Sequence, residues 1–126
     1  MKKKLLIVLV LLLTLTFVGC KKEETKVEEK SILELENYKD LVKSNIETVE
    51  TVKYTEGGDD RNTTADRMEI ERVYNMLSQT KITDETDRAC EDNTTVYNLK
   101  TRDKTYSFEF ECSWFVYNGK RYNIAK

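Results

Sequence analysis

The sequence has no histidine and no proline, and only four glycines and three cysteines in 126 residues. Without histidine there is no Ser–His or Cys–His pair to activate a nucleophile and no imidazole to hold a metal ion. A basic excess is missing as well. Lysine and arginine number 21 against 23 aspartates and glutamates, a net charge of −2, whereas a nucleic-acid-binding surface calls for clustered positive charge. No nucleic-acid partner is therefore expected, and the length suits one small domain.

One long apolar run is present. Lys2, Lys3 and Lys4 precede Leu5 to Val18, in which every residue is apolar or threonine, and charge returns abruptly at Lys21 after Gly19-Cys20. A membrane-spanning helix needs about 20 apolar residues, so this run is short for one and suits the core of a secretory signal. The stretch resembles the export signal of bacterial lipoproteins, with Gly19-Cys20 at the processing site and Phe17 where that family usually has leucine. The resemblance implies cleavage before Cys20, a diacylglyceryl group on its thiol, and a protein held on the extracytoplasmic face of the cell membrane. Two acyl chains anchor stably where one is marginal. The expected domains are a signal peptide over 1–19, an acylated Cys20 with a flexible tether over 20–30, and one α+β domain over 31–126. Removing Lys2, Lys3 and Lys4 leaves 18 basic against 23 acidic residues, a net charge of −5. Anionic lipid repels such a chain mildly, so the Cys20 lipid rather than a basic patch would hold it to the bilayer.

Past the polar run Lys21 to Lys30, Ile32, Leu35, Tyr38, Leu41 and Val42 recur at three- and four-residue spacing. That spacing predicts an amphipathic helix, with Ser31 and Glu34 at capping-box positions and Asn45 as its stop. Alternation then predicts a strand over Thr48 to Tyr54, and Glu56 to Asn62 is a loop by composition. A second helix is expected over Ala65 to Ser78, capped by Thr63 or Thr64, with Met68, Ile70, Val73, Tyr74 and Leu77 as its apolar stripe. Polar Gln79 to Asn93 leads to strand signals at Thr94 to Thr101, Lys104 to Val116 and Arg121 to Ile124. Asn118-Gly119 marks a hairpin turn, because both turn positions take positive φ. The fold class expected is α+β: one strand and then a three-strand meander, an antiparallel sheet packed against one or two helices.

Tyr106, Phe108, Phe110, Cys112 and Trp114 share one parity and are assigned to the core face. Ser107, Glu109, Glu111, Ser113 and Phe115 take the outer face. By this parity Phe115, Tyr117 and Tyr122 cannot all point inward, and any left exposed is a candidate interface anchor. Tyr117, Arg121 and Tyr122, gathered at the Asn118-Gly119 tip, form the candidate binding surface. With Cys20 lipidated, Cys90 and Cys112 remain as an even pair in an exported chain and are expected to form a disulfide. Glu56-Gly57-Gly58-Asp59-Asp60 is dense in acid but lacks the spacing of an EF-hand calcium loop, and it reads as a solvated turn. Glu109 and Glu111 stand two apart on a wet face, which is not the cleft that carboxylate catalysis needs. No catalytic residues, cofactor or metal are expected.

Tyr54-Thr55-Glu56-Gly57-Gly58, Ile70-Glu71-Arg72-Val73-Tyr74 and Asn118-Gly119-Lys120-Arg121-Tyr122 are similar to segments of small uncharacterised lipoproteins of Gram-positive bacteria. That resemblance supports the order of elements and carries over no active-site residue. Three functions stay open on the sequence. The first is a non-enzymatic binding module for an envelope protein or polymer. The second is an inhibitor or immunity-type protein that blocks a secreted hydrolase. The third is an enzyme working with carboxylates alone, which a concave pocket with convergent acids would favour.

Overall fold

The computed structural model describes residues 28–88, 90 and 93–125. The expected leader over 1–19, Cys20 and most of the expected tether lie outside these residues. Within them the chain forms β1 (Lys30–Ser31), β2 (Ile46–Thr55), β3 (Gly58–Thr64), α1 (Arg67–Gln79), β4 (Lys81–Thr86), β5 (Thr94–Thr101), β6 (Thr105–Glu111), β7 (Trp114–Tyr117) and β8 (Lys120–Ile124). The strands make one antiparallel sheet in the order β1-β4-β8-β7-β6-β5-β2-β3. This corrects the expected fold class. Among the described residues the molecule is mainly an eight-stranded sheet with one α-helix, not a strand and a three-strand meander on helices.

The first expected helix is absent. Ile32–Glu34 and Lys43–Asn45 are single 3-10 turns, and Ser31 makes no side-chain cap. The apolar residues are buried all the same: Ile32, Leu35, Tyr38 and Leu41 all join the core, while Val42 is 48% exposed. Their spacing is three residues throughout. A 3-10 turn repeats every 3.0 residues and an α-helix every 3.6, so on an α-helix this row would wind away from the core. The backbone bonds follow the same period, Leu35 N–H to Ile32 O at 3.2 Å, Tyr38 N–H to Leu35 O at 2.9 Å and Leu41 N–H to Tyr38 O at 3.0 Å.

α1 is the expected second helix, displaced at its start. Asp66, not Thr63 or Thr64, is the N-cap: its carboxylate accepts from Met68 N–H at 3.3 Å. Ile70, Val73 and Leu77 are buried, but Met68 is 79% exposed and leaves the stripe. The Arg67 guanidinium donates to Ile46 O and Lys43 O, both at 2.9 Å, and ties the helix to the start of β2. The imperfect alternation of β2 has a cause. The register slips between Ile46 and Thr48, which lets Ile46 and Val49 both enter the core despite their odd spacing.

Two strands lie where loop was expected. β3 is entirely polar apart from Gly58 and runs as the outer edge, paired only with β2 across a turn at Glu56-Gly57, with φ of +122° at Gly58. β4 contains a single apolar residue, Ile82, which is buried. The long strand expected over Lys104 to Val116 is two strands, β6 and β7, folded about Cys112-Ser113, where Cys112 takes φ of +51°. That turn moves Trp114 to the outer face and Phe115 to the core, where it is fully buried. Phe115, Tyr117 and Tyr122 therefore do share the inner face, against the expectation from parity. The Asn118-Gly119 hairpin is present, with φ of +51° and +78°.

The Cys90–Cys112 disulfide forms, with Cα atoms 6.1 Å apart. Since β4 and β5 are separated in the sheet by β8, β7 and β6, the chain between them must pass three strands. The disulfide fastens this crossing to the β6–β7 turn, and Cys112 N–H donates to Asn93 O at 2.8 Å beside it.

Candidate functional site

The segment from Glu28 to Leu41 crosses the same sheet face as α1, over β6, β7 and β8. Tyr38 is its hub. The ring stacks on Phe108 at 4.1 Å between centroids, meets Phe115 edge-on at 6.3 Å, and its hydroxyl donates to Ser107 O at 2.6 Å. Asn37 next to it binds the β7–β8 tip. Its N–H donates to the Tyr117 hydroxyl at 3.3 Å, and its side-chain amide donates to Asn118 Oδ1 at 3.1 Å. At the other end Ile32 N–H donates to Thr80 O at 3.1 Å. Between these two fastenings Ile32 and Leu35 are buried in the core, while Glu34 and Glu36 stay exposed.

Where the start of this segment meets β4, β7 and β8 there is a cleft of about 640 Å³. Tyr117, Tyr122, Leu35 and Ile82 make its apolar lining, and Glu28, Glu29, Glu34 and Asp84 make an acidic one, with Lys30 as the lining cation. Asn123, through its side-chain amide at 3.1 Å, holds the Asp84 carboxyl below its ordinary range, helped by the backbone N–H of Asp84 and the Thr83 hydroxyl. Among the described residues none of the four acids has a salt-bridge partner.

The structure divides the three residues expected to form a binding surface at the tip. Tyr117 and Tyr122 come together on the inner face and line the cleft. Arg121 does not join them. It lies on the outer face and pairs through Nε with Glu111 Oε2. Alternation dictates this, since Arg121 stands opposite Val116 and Tyr122 opposite Phe115. The sequence missed Glu28, Glu29 and Asp84, because the adjacent Glu28 and Glu29 meet the distant Asp84 only through the β1–β4 pairing.

On the outer face Glu109 and Glu111 do not converge as an acid–base pair. Burial, and then the charge of Glu111, push the Glu109 carboxyl up, with Arg121 opposing. Glu111 is taken by Arg121. In the acidic hairpin Asp59 and Asp60 are exposed edge-strand residues rather than part of a loop. Among the described residues no group of three or more His, Cys, Asp or Glu is placed to hold a metal ion, and no helix is long and apolar enough to cross a membrane. No family model, curated protein or solved structure matches the chain.

Proposed function

We propose that this chain is an exported lipoprotein, anchored through Cys20 on the extracytoplasmic face of the cell membrane, that acts as a non-enzymatic binding module through the cleft at Tyr117 and Tyr122. The single observation that carries the binding reading is the cleft itself: aromatic and aliphatic side chains lie beside carboxylates in one concavity. Such a site recognises by shape and charge. Carboxylate catalysis needs one carboxyl pushed up so that it can act as the acid, whereas Asp84 in this lining is held below its ordinary range. The chain enters the domain through Glu28–Lys30, which also line the cleft, so the anchored domain holds its binding site beside its own tether.

The anchor is tested by fractionation and mass spectrometry. Cys20→Ala is expected to release the protein from the membrane fraction, and the wild-type mature terminus is expected to be a diacylglyceryl cysteine at position 20. An unmodified terminus elsewhere contradicts the anchor. For an envelope partner captured by the anchored protein, Tyr122→Ala is expected to weaken association by about 1–2 kcal/mol, as hot-spot aromatics do. Arg121→Ala, on the opposite face, is expected to leave it unchanged.

A further inference from the structure

We propose that the cleft takes an extended basic peptide segment, which adds to the sheet along the open edge of β4 and places lysine or arginine side chains over Tyr117 and Tyr122. The proposal deepens the reading of the cleft as the binding site and rests on it.

The first argument is the edge. β1 pairs with β4 only at Lys30–Ile82 and Ser31–Lys81. Beyond Ile82, the outward edge of Thr83 to Thr86 has no strand partner among the described residues. An unpaired strand edge is a template for another strand, and peptides bind by this augmentation with main-chain hydrogen bonds. β3, at the far edge of the sheet, carries charged and polar residues beyond Gly58, and the cavity that its Asp60 and Asn62 help to line also holds Lys53 and Arg72, which oppose a basic segment.

The second argument is why the edge stays open. Continued toward the N-terminus, the β1 register would set Glu29 opposite Thr83 and Glu28 opposite Asp84. Like charges directly opposite each other destabilise a strand pair. Hydrogen bonds from Asn123, its own backbone N–H and Thr83 hold the Asp84 carboxyl below its ordinary range, which favours its charged form. The acids therefore oppose closure of the pair, and the cleft lies where that closure would be.

The third argument is complementarity. A basic strand removes the repulsion by placing its cations beside the acidic lining of Glu28, Glu29, Glu34 and Asp84. The tyrosine rings offer faces that attract ammonium and guanidinium groups. A free amine would satisfy the acids but leave the β4 edge unpaired. An anionic polymer is repelled by Glu28, Glu29, Glu34 and Asp84.

The test uses the chain from residue 20 onward with Cys20→Ser, and three short peptides. One alternates Lys and Thr, one alternates Glu and Thr, and one is the Lys-Thr peptide N-methylated along its backbone. The Lys-Thr peptide is expected to bind, to lose affinity with added salt, and to shift the amide resonances of Thr83 to Thr86. The Glu-Thr peptide, the methylated peptide and the combined Glu28→Gln, Glu34→Gln protein are each expected to lower affinity by roughly ten-fold or more. These two glutamates belong to the cleft wall and not to the buried core, so the variant keeps its fold.

Equal binding of the Glu-Thr peptide overturns the charge argument. Equal binding of the methylated peptide overturns strand addition. Protection of the Thr83 to Thr86 amides from exchange before any peptide is added shows that the chain's own residues cover the edge, and also overturns the proposal. If no peptide binds while Tyr122→Ala still releases an envelope partner, the ligand class is wrong and the site stands. If Tyr122→Ala releases nothing, the site itself falls.

Discussion

Tyr38→Ala is expected to destabilise the domain by about 3–5 kcal/mol, the range for deleting a buried aromatic side chain. Tyr38 is 6% exposed, stacks on Phe108 and is the residue through which the 28–41 segment grips the sheet. Domains of this size are stable by only about 5–15 kcal/mol, so the variant sits near the unfolding threshold. Chemical denaturation measures the loss, and a change below about 1 kcal/mol would contradict the hub role. Tyr38→Phe keeps the ring and leaves Ser107 O without its donor, at an expected cost of about 1 kcal/mol.

The same residue gives a pH signature. Burial, with smaller contributions from Tyr117 and Glu109, pushes the Tyr38 hydroxyl up to about 12. In the unfolded chain it ionises near its ordinary value of about 10. The folded state thus favours the neutral form. Its contribution is complete below about pH 10 and is lost as the pH rises through about 12. Wild type should lose stability over that window faster than Tyr38→Phe. Parallel curves for the two proteins would contradict the assignment.

The second large effect is expected at the disulfide. Cys90 and Cys112 are separated by 22 residues. On the chain-entropy account, closing such a loop stabilises by about 3 kcal/mol. The closed loop holds the crossing from β4 to β5, together with β5 and β6. Replacing both cysteines with alanine should therefore lower the melting temperature and leave the separate Asn118-Gly119 hairpin formed. A double variant as stable as wild type, or two titratable thiols in the exported protein, would contradict it.

These residues also show how far the sequence was legible. β5, β8, α1 and the Asn118-Gly119 turn follow from alternation, helical spacing and turn chemistry. β3 and β4 did not, because a strand at the edge, or flanked there only by the two-residue β1, is wet on most sides and needs no apolar alternation. β3 is held by pairing with β2 and β4 by pairing with β8, and neither is visible in local pattern. The three-residue period of Ile32, Leu35, Tyr38 and Leu41 was written in the sequence and distinguishes 3-10 turns from an α-helix when the count is strict.

The largest error came from one unmarked turn. Cys112-Ser113 holds neither glycine nor asparagine, so parity ran on through it and put Trp114 in the core and Phe115 outside. A strand of the expected length, Lys104 to Val116, is longer than most, and that was the available warning. The candidate site was legible by half. The tip residues Tyr117, Arg121 and Tyr122 read as one surface, but alternation across the tip sends Arg121 to the other face, and the acidic lining arises from strand pairing between distant segments.

The central claim, that this domain binds through the cleft face of its sheet, is tested most directly by photo-crosslinking on the anchored protein. Glu34 and Ser107 are both exposed, the first at the cleft and the second on the opposite face of the same sheet. With a photo-crosslinking residue at each position in turn, an envelope adduct is expected from position 34 and none from position 107. An adduct from position 107 with none from position 34 would contradict the account.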